Sequence, residues 1–421
     1  MRFPSRFIIP FLVIATFQAL GAVPDTLEVG KKYASIKQAL AAAASGDVIK
    51  VFPGVYFENE MIIDKPCTLL GVGYPILDAG LKNDAIIIRA DSVSIIGFHI
   101  RNVATNYVRD LAAIHVEEAR HFNIQDNKLE NTFFGIYLQK SRDGRVAGNS
   151  IIGQAVVEAS SGNAIHLWYC KNVDVSNNEA RHHRDGIYLE FSDSIRIVRN
   201  VSQDNLRYGL HFMFSNYNDY LENTFQSNGA GVAVMFSSQI VMKRNRFIDN
   251  WGSASYGILL KEIKDGLISN NLFQGNTIGI YGESSDRMTI SQNDFTENGY
   301  ALRILGSCRD NIITENNFID NTFDVGTNAT RQYNQYTRNY WSEYTGYDLD
   351  KNGLGDVPYR PVKLFSFVVE KVPQAIVLLR SLFVDLMNFT EKVTPVFTPQ
   401  NLFDDQPLMK PHPHDQYSTS S

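Results

Sequence analysis

The chain has 421 residues, of which 44% are hydrophobic and 20% are charged, so it holds enough apolar side chains for a large core. Its formal net charge of -6, without any run rich in lysine and arginine, excludes a nucleic-acid-binding protein. The three cysteines, Cys67, Cys170 and Cys308, are odd in number and far apart along the chain, which argues against a disulfide framework.

Residues 1–21 have the pattern of a secretory signal peptide. Arg2 and Arg6 give a positive start, residues 7–19 are mostly apolar, and small residues follow at a cleavage site. The segment predicts an exported protein, and a retained membrane anchor is the alternative. Residues 22–46 predict an N-terminal cap that contains a short helix, for which Ser35 is the candidate N-cap.

A motif of the form Gly-Ile-Tyr-Leu recurs at intervals of mostly 22 or 23 residues. Its members begin at Ala113, Gly135, Ala164, Gly186, Gly209, Gly231, Gly257, Gly279 and Ala301. A second series, asparagine followed two places on by an apolar residue, keeps the same period. That series consists of Asn127, Asn149, Asn178, Asn200, Asn223, Asn245, Asn271, Asn293, Asn316 and Asn339. Two series with one period predict an all-β fold, a right-handed parallel β-helix over residues 47–345.

Alternate side chains of each short strand point inward, so the motif's Ile position is buried and its Tyr position faces outward. The predicted buried ladder contains Ile136, Ile165, Ile187 and the equivalent residues of later coils. Each coil depends on its neighbours for stability, because one coil alone cannot bury its own core.

Residues 346–361 predict a closing loop rich in aspartate and glycine. Asp348, Asp350, Asn352 and Asp356 have the alternating oxygen spacing of a calcium loop, but Tyr359 stands where the closing glutamate belongs. A structural calcium ion and a turn held by side-chain bonds are therefore equal alternatives.

Residues 362–405 predict a helical extension. Leu379, Leu382, Phe383 and Leu386 form an apolar stripe, but the nearby charged residues do not suit a membrane span. The stripe either caps the last coil or docks on a membrane protein or bilayer surface. Residues 406–421 predict a disordered tail.

Two groups of soft or imidazole side chains are copper candidates. Met213 and Met235 fall at equivalent outward positions of adjacent coils, and His211 lies two residues from Met213, a set that suits Cu(I). The alternative for these residues is an ordinary or partner-facing surface.

A second candidate copper group lies in the predicted tail. It consists of Met409, His412 and His414.

The rival function is an enzyme, because parallel β-helices also serve as polysaccharide lyases and epimerases. Glu190, Tyr188, His166 and Lys261 offer proton-transfer groups, but the carboxylates do not cluster on adjacent coils, so we predict that the chain is not an enzyme. A carbohydrate-binding surface built on exposed aromatic residues is a third alternative.

Several stretches of this sequence resemble one known family, the NosD family of nitrous oxide reductase maturation proteins, in order and over nearly the whole mature chain. The stretches are Arg184–Ser192, Asn205–Ser215, Asn228–Ser237, Asn250–Lys261, Tyr340–Pro361 and Leu379–Leu386. The resemblance implies a periplasmic accessory protein that works with the permease and ATPase subunits of an ABC transporter. It further implies a role in building the copper-sulfur centres of nitrous oxide reductase in denitrifying bacteria, with a copper chaperone as a further candidate partner. In that setting the helical extension contacts the permease and, through it, the membrane surface.

Overall fold

The computed structural model describes residues 24–106, 108–393 and 397–413. Over this part of the chain, short strands assemble into three parallel sheets of 14, 12 and 13 strands that form one solenoid. The predicted fold class, an all-β right-handed parallel β-helix, is confirmed. The predicted signal peptide of residues 1–21 lies outside the described residues.

Twelve coils contribute one strand to each sheet, and three further strands at the two ends of the solenoid complete the sheets, which are numbered 1 to 3 here. Sheet 1 contains Thr26–Val29, Val48–Val51, Thr68–Gly71, Ser94–Ile96, Asn123–Gln125, Arg142–Ala147, Lys171–Ser176, Arg196–Val198, Asp219–Leu221, Val241–Lys243, Leu267–Ser269, Thr289–Ser291, Arg309–Thr314 and Tyr333–Thr337. Sheet 2 contains Met61–Ile63, Ile86–Ile88, Ala112–Glu117, Phe134–Gln139, Ile165–Trp168, Asp185–Glu190, Tyr208–Met213, Ala230–Met235, Ile258–Lys261, Ile278–Glu283, Tyr300–Ile304 and Phe323–Gly326. Sheet 3 contains Val55–Phe57, Ile76–Asp78, His99–Arg101, Lys128–Glu130, Ser150–Ile152, Glu179–Arg181, Val201–Gln203, Thr224–Gln226, Arg246–Ile248, Leu272–Gln274, Asp294–Thr296, Asn317–Ile319 and Tyr340–Trp341.

Inward side chains of successive coils stack in columns. The predicted ladder of Ile136, Ile165, Ile187 and their equivalents is fully buried in sheet 2. In sheet 3, aromatic rings stack from Phe225 to Trp341 with centroids 4.1 to 5.5 Å apart. The motif's glycine is required by the close approach of coils, since a Cβ at Gly209 would stand 2.8 Å from the carbonyl oxygen of Gly231.

The asparagine series forms a buried ladder at the turn between sheets 1 and 3. The side-chain oxygen of Asn223 accepts hydrogen bonds from the backbone N–H and the amide group of Asn200, at 2.9 and 3.0 Å, and this pattern repeats from coil to coil. The residue before each asparagine of the ladder has a left-handed backbone conformation; Arg199, for example, has φ 52°. The ladder therefore satisfies buried backbone groups that no strand pairing reaches.

The N-terminal end of the solenoid is covered by a short helix. Helix α1 spans Ile36–Ala42, and the hydroxyl of Ser35 accepts a hydrogen bond from the N–H of Gln38 at 3.2 Å. Ile36 and Leu40 are buried against the first coil. Ser35 thus serves as the N-cap.

The helical extension packs against the outer face of sheet 2 at the last coils. It contains helix α2 at Leu364–Lys371, a 3-10 helix at Pro373–Leu378 and helix α3 at Leu382–Val393; a separate 3-10 turn, Glu158–Ser160, lies earlier in the chain. Phe323 of the last strand of sheet 2 meets Phe365 of α2, and Arg303 pairs with Glu370. Among the described helices, none has the length and apolar character needed to cross a bilayer.

Residues 397–413 return to the C-terminal end of the solenoid. Asp404 bridges Tyr336, and Leu408 bridges Tyr340, so the returning segment continues two of the sheets. Residues 406–413 therefore differ from the predicted disordered tail, because their backbone groups pair with the open edge of the last coil. Residues 414–421 lie outside the described residues.

Candidate functional site

The outer face of sheet 2 carries a column of alternating histidine and tyrosine rings. His115, Tyr137, His166, Tyr188 and His211 occupy equivalent outward positions of five successive coils, as their register in the sheet shows. Neighbouring ring centroids lie 4.7 to 4.8 Å apart. The column exists because the strand spacing of about 4.8 Å matches the contact distance of aromatic rings.

Burial removes the charge from two of these imidazoles. Burial, aided by the nearby Arg184, lowers the pKa of His166 to about 3. Burial and then Arg207 lower the pKa of His211 to about 3 as well. Both side chains are neutral at ordinary pH, so each has one N–H and one lone pair.

An ion-pair network fixes the tautomer of His211. The buried carboxylate of Asp185 accepts two hydrogen bonds of 3.1 Å from Arg207, and Arg207 also lies 3.0 Å from the Nδ1 atom of His211. A guanidinium can only donate, so Nδ1 is the acceptor and the proton resides on Nε2. His211 could supply a lone pair to a metal only after breaking its bond to Arg207.

The predicted methionine pair is brought together. Met213 and Met235 are register partners in adjacent strands of sheet 2, and both are half-buried. Glu190 precedes them in the same outward column and Lys261 follows. Within the described residues, no group of three or more histidine, cysteine, aspartate or glutamate side chains is arranged to hold a metal.

The second predicted copper group is only partly described. The backbone of His412 exchanges two hydrogen bonds with the side chain of Asn317, and its imidazole lies 3.7 Å from the carboxylate of Glu315. The N–H of Met409 donates to the carbonyl of Gly353 at 3.1 Å. His414 lies outside the described residues, so this group stays a prediction.

In the candidate calcium loop, the aspartate carboxylates accept hydrogen bonds from backbone N–H groups of the same loop. Asp348 accepts from the N–H groups of Asn352 and Gly353, at 3.1 and 2.8 Å. Asp350 accepts from both the backbone and the side chain of Asn352, and Asp356 accepts from the N–H of Leu349. These bonds support the turn held by side chains, the alternative that needs no ion.

The predicted docking stripe divides into an exposed row and an anchored residue. Leu382, Phe383 and Leu386 are 83%, 62% and 61% exposed. Leu379 is instead packed beside Val384 against the cluster around Phe323 and Phe365. Exposed apolar residues outside the predicted set extend the row: Val377 and Phe389.

Sequence reasoning missed a cavity of about 490 Å³ on the outer face of sheet 2. Its floor contains His115, Tyr137 and His166, and Trp168 and the loop at Arg109 form walls. The sequence predicted that the histidine and tyrosine side chains lie on this outward face. The loop at Arg109, which borders the cavity, lies outside the repeat, so the repeat did not predict it.

This architecture defines a class of protein: a parallel β-helix with a non-repeat helical extension that presents apolar residues to solvent. Residues 148–346 match the family model "Periplasmic copper-binding protein (NosD)". The chain is 29% identical, over 84% of its length and 86% of the relative, to a probable ABC transporter binding protein NosD of Pseudomonas aeruginosa. A protein of the same name from Stutzerimonas stutzeri is 27% identical over 85% of this chain and 86% of its own. The predicted resemblance to the NosD family is confirmed.

Solved structures show the same fold at low identity. The A-module of the mannuronan C-5 epimerase AlgE4 of Azotobacter vinelandii matches with a TM-score of 0.60 and 12% identity, over 75% of this chain and 97% of that one. The A-module of AlgE6 gives a TM-score of 0.59 and 11% identity, over 71% and 93%. At such identity the likeness concerns the fold alone. The curated relatives are named as binding proteins, which confirms the prediction that this chain is not an enzyme.

Proposed function

We propose that this chain is a periplasmic accessory protein that docks on the permease of an ABC transporter and serves the assembly of the copper-sulfur centres of nitrous oxide reductase. The observation that carries the proposal is the exposed apolar row on the helical extension. The names of the two relatives support a transporter as the partner. The ATPase subunit, nitrous oxide reductase and a copper chaperone complete the proposed set of partners.

The row is suited to docking because it has a rigid support. Val384, on the opposite side of α3, is buried against Phe365, which in turn meets the last strand of sheet 2. Leu382, Phe383 and Leu386 therefore point away from the solenoid on a fixed platform. A contiguous apolar surface of this kind marks an interaction site. A permease offers apolar helices as the complementary surface.

Recovery of the transporter from membranes tests the docking proposal. The mature chain, carrying an affinity tag, is co-expressed with the permease and ATPase subunits and isolated from detergent extracts. We expect the Leu382→Glu/Phe383→Glu variant to recover at least tenfold less permease. Phe57→Glu is the matched control, because Phe57 is 75% exposed at the opposite end of the solenoid. Equal recovery by the wild type and the double variant contradicts the proposal.

We further propose that Met213 and Met235 bind Cu(I) as cargo. Thioether sulfurs are soft ligands that suit Cu(I), and these two stand at equivalent positions of adjacent coils. Glu190, next to Met213 in the column, adds negative charge beside the pair. Arg207 donates a hydrogen bond to the Nδ1 atom of His211. We therefore place this imidazole beside the proposed copper site and not among its ligands.

Competition with a Cu(I) chelator measures this site. Met213→Leu/Met235→Leu keeps the volume and removes both sulfurs, and we expect it to lower the Cu(I) affinity at least tenfold. Met409→Ala/His412→Ala tests the second predicted group on the same chain. Unchanged affinity in the first variant overturns the methionine site, and a loss confined to the second variant moves the site to the C-terminal segment.

A further inference from the structure

The cavity on the outer face of sheet 2 is lined largely by polar and aromatic side chains. Its floor is the ring column at His115, Tyr137 and His166, and the half-buried indole of Trp168 stands at its side. The loop at Arg109 encloses the other side. A volume of about 490 Å³ lies within the range of small-molecule sites, roughly 300–1,000 Å³.

Several polar groups on its walls are unused by the protein. The hydroxyl of Tyr137, the indole N–H of Trp168 and the carboxylates of Asp110 and Glu190 make no hydrogen bond with another described residue. They comprise two donors and two acceptors around one space. Polar groups held in such an arrangement favour a ligand that both donates and accepts hydrogen bonds.

The charges around the cavity disfavour an anion. Arg89 is already bound to Glu117 at 2.6 Å, and Arg109 lies 3.8 Å from the buried carboxylate of Asp84. The lining still holds more carboxylates, those of Asp84, Asp110, Glu117 and Glu190, than guanidinium groups, although Arg184 and His115 partly offset the charge of Asp110. An anionic ligand would meet repulsion here.

We propose that this cavity binds a short uncharged oligosaccharide, with Trp168 as the stacking wall. Sugar hydroxyls donate and accept at once, and they match the unused groups of Tyr137, Asp110 and Glu190. The C–H face of a sugar ring packs against an indole, whose apolar body is at the cavity and whose N–H is free to donate. The site shares no residue with the docking row, and its link to the methionine pair is Glu190, which lies next to Met213 in the outward column.

Isothermal titration calorimetry with cello-, xylo- and chito-oligosaccharides of two to four units tests the proposal. We expect at least one neutral series to bind, and Trp168→Ala to weaken it at least tenfold. Trp251→Ala is the matched control, because Trp251 is 64% exposed and lies outside the cavity. Asp110→Ala provides a second variant at an exposed loop position, for which we expect a severalfold loss.

Three outcomes overturn the proposal. They are an absence of binding by every neutral series at millimolar concentration, equal binding by Trp168→Ala that is correctly folded by circular dichroism, and tighter binding of oligouronates than of neutral sugars. Recovery of the permease by Trp168→Ala is expected to equal that of the wild type. Failure of saccharide binding is therefore distinguishable from failure of transporter docking.

Discussion

Asp404 closes the asparagine ladder at the C-terminal end of the solenoid. Its Oδ2 atom accepts from the backbone and the side chain of Asn339, at 2.9 and 3.0 Å, and from the indole N–H of Trp341 at 3.0 Å. Its Oδ1 atom accepts from the N–H groups of Arg338 and Gln406, at 3.0 and 3.2 Å. The fully buried carboxylate of Asp404 thus accepts the hydrogen bonds that the asparagine of a further coil would otherwise accept.

Asp404→Ala leaves these five donors without their acceptor. An unsatisfied buried donor costs about 1–3 kcal/mol, and relaxation with entry of water recovers part of that, so we expect a loss of about 3–6 kcal/mol in unfolding free energy. Asp404→Asn keeps one acceptor for the ladder but turns an N–H₂ group toward the remaining donors. Because it also removes a buried charge, we expect a smaller loss of about 1–3 kcal/mol.

Guanidinium unfolding followed by tryptophan fluorescence measures both losses. Trp341 is a direct probe, because its ring stacks on Phe318 at 4.1 Å and its N–H binds Asp404. Hydrogen exchange localises the effect: Tyr333–Thr337 should exchange faster in Asp404→Ala, while Arg196–Val198, many coils away, serves as the internal control. A loss below about 1 kcal/mol with unchanged exchange at the last coils would refute the capping role.

Gly209→Ala should cost about 1–3 kcal/mol in unfolding free energy, because its Cβ would stand 2.7 Å from the amide nitrogen of Asn228 and 2.8 Å from the carbonyl oxygen of Gly231. Gly46→Ala is the control in the same denaturation assay. Its Cβ would meet no neighbour but its φ is 92°, so it separates the effect of crowding from that of backbone strain. Burial, followed by the charge of Glu343, raises the pKa of Asp324 to about 7, so the folded state binds a proton that the unfolded state releases, and stability should fall as pH rises from about 4 to 7. This component is worth up to about 4 kcal/mol in full, and Asp324→Asn should abolish the part of it, about 3 kcal/mol, that separates urea unfolding at pH 5 from that at pH 8. His166 behaves in the opposite sense: its pKa of about 3 means that stability should fall as pH drops below about 6.5, by about 1.4 kcal/mol per pH unit, and His166→Phe should lack this loss in acid-unfolding curves.

The repeat made the fold predictable, because one period fixes which residues stack. The shared spacing of the glycine and asparagine series placed Ile136 and Ile165 in one buried ladder and made Met213 and Met235 register partners. Both results depend only on coil length and on the alternation of side chains along a strand. They needed no knowledge of distant contacts.

The parts that the sequence did not predict depend on contacts that the period of the repeat does not determine. Asp404 reaches Asn339 across 65 residues of non-repeating chain, and nothing in its local sequence marks it as the last member of the ladder. Arg207 covers Nδ1 of His211 because both turn toward the buried Asp185, which is a matter of side-chain packing rather than of period. The cavity beside Trp168 likewise owes its wall to an irregular loop.

The proposed docking row and the proposed copper pair lie along one face of the molecule. Met235 belongs to the strand Ala230–Met235 of sheet 2, and Arg303, which binds Glu370 of α2, belongs to the strand Tyr300–Ile304, three coils further along. At about 4.8 Å per coil, this separation is roughly 14 Å. A partner held by Leu382 and its neighbours would therefore stand within a few coils of the two thioethers. The solenoid, which is rigid along this axis because each coil pairs with the next, would fix that distance.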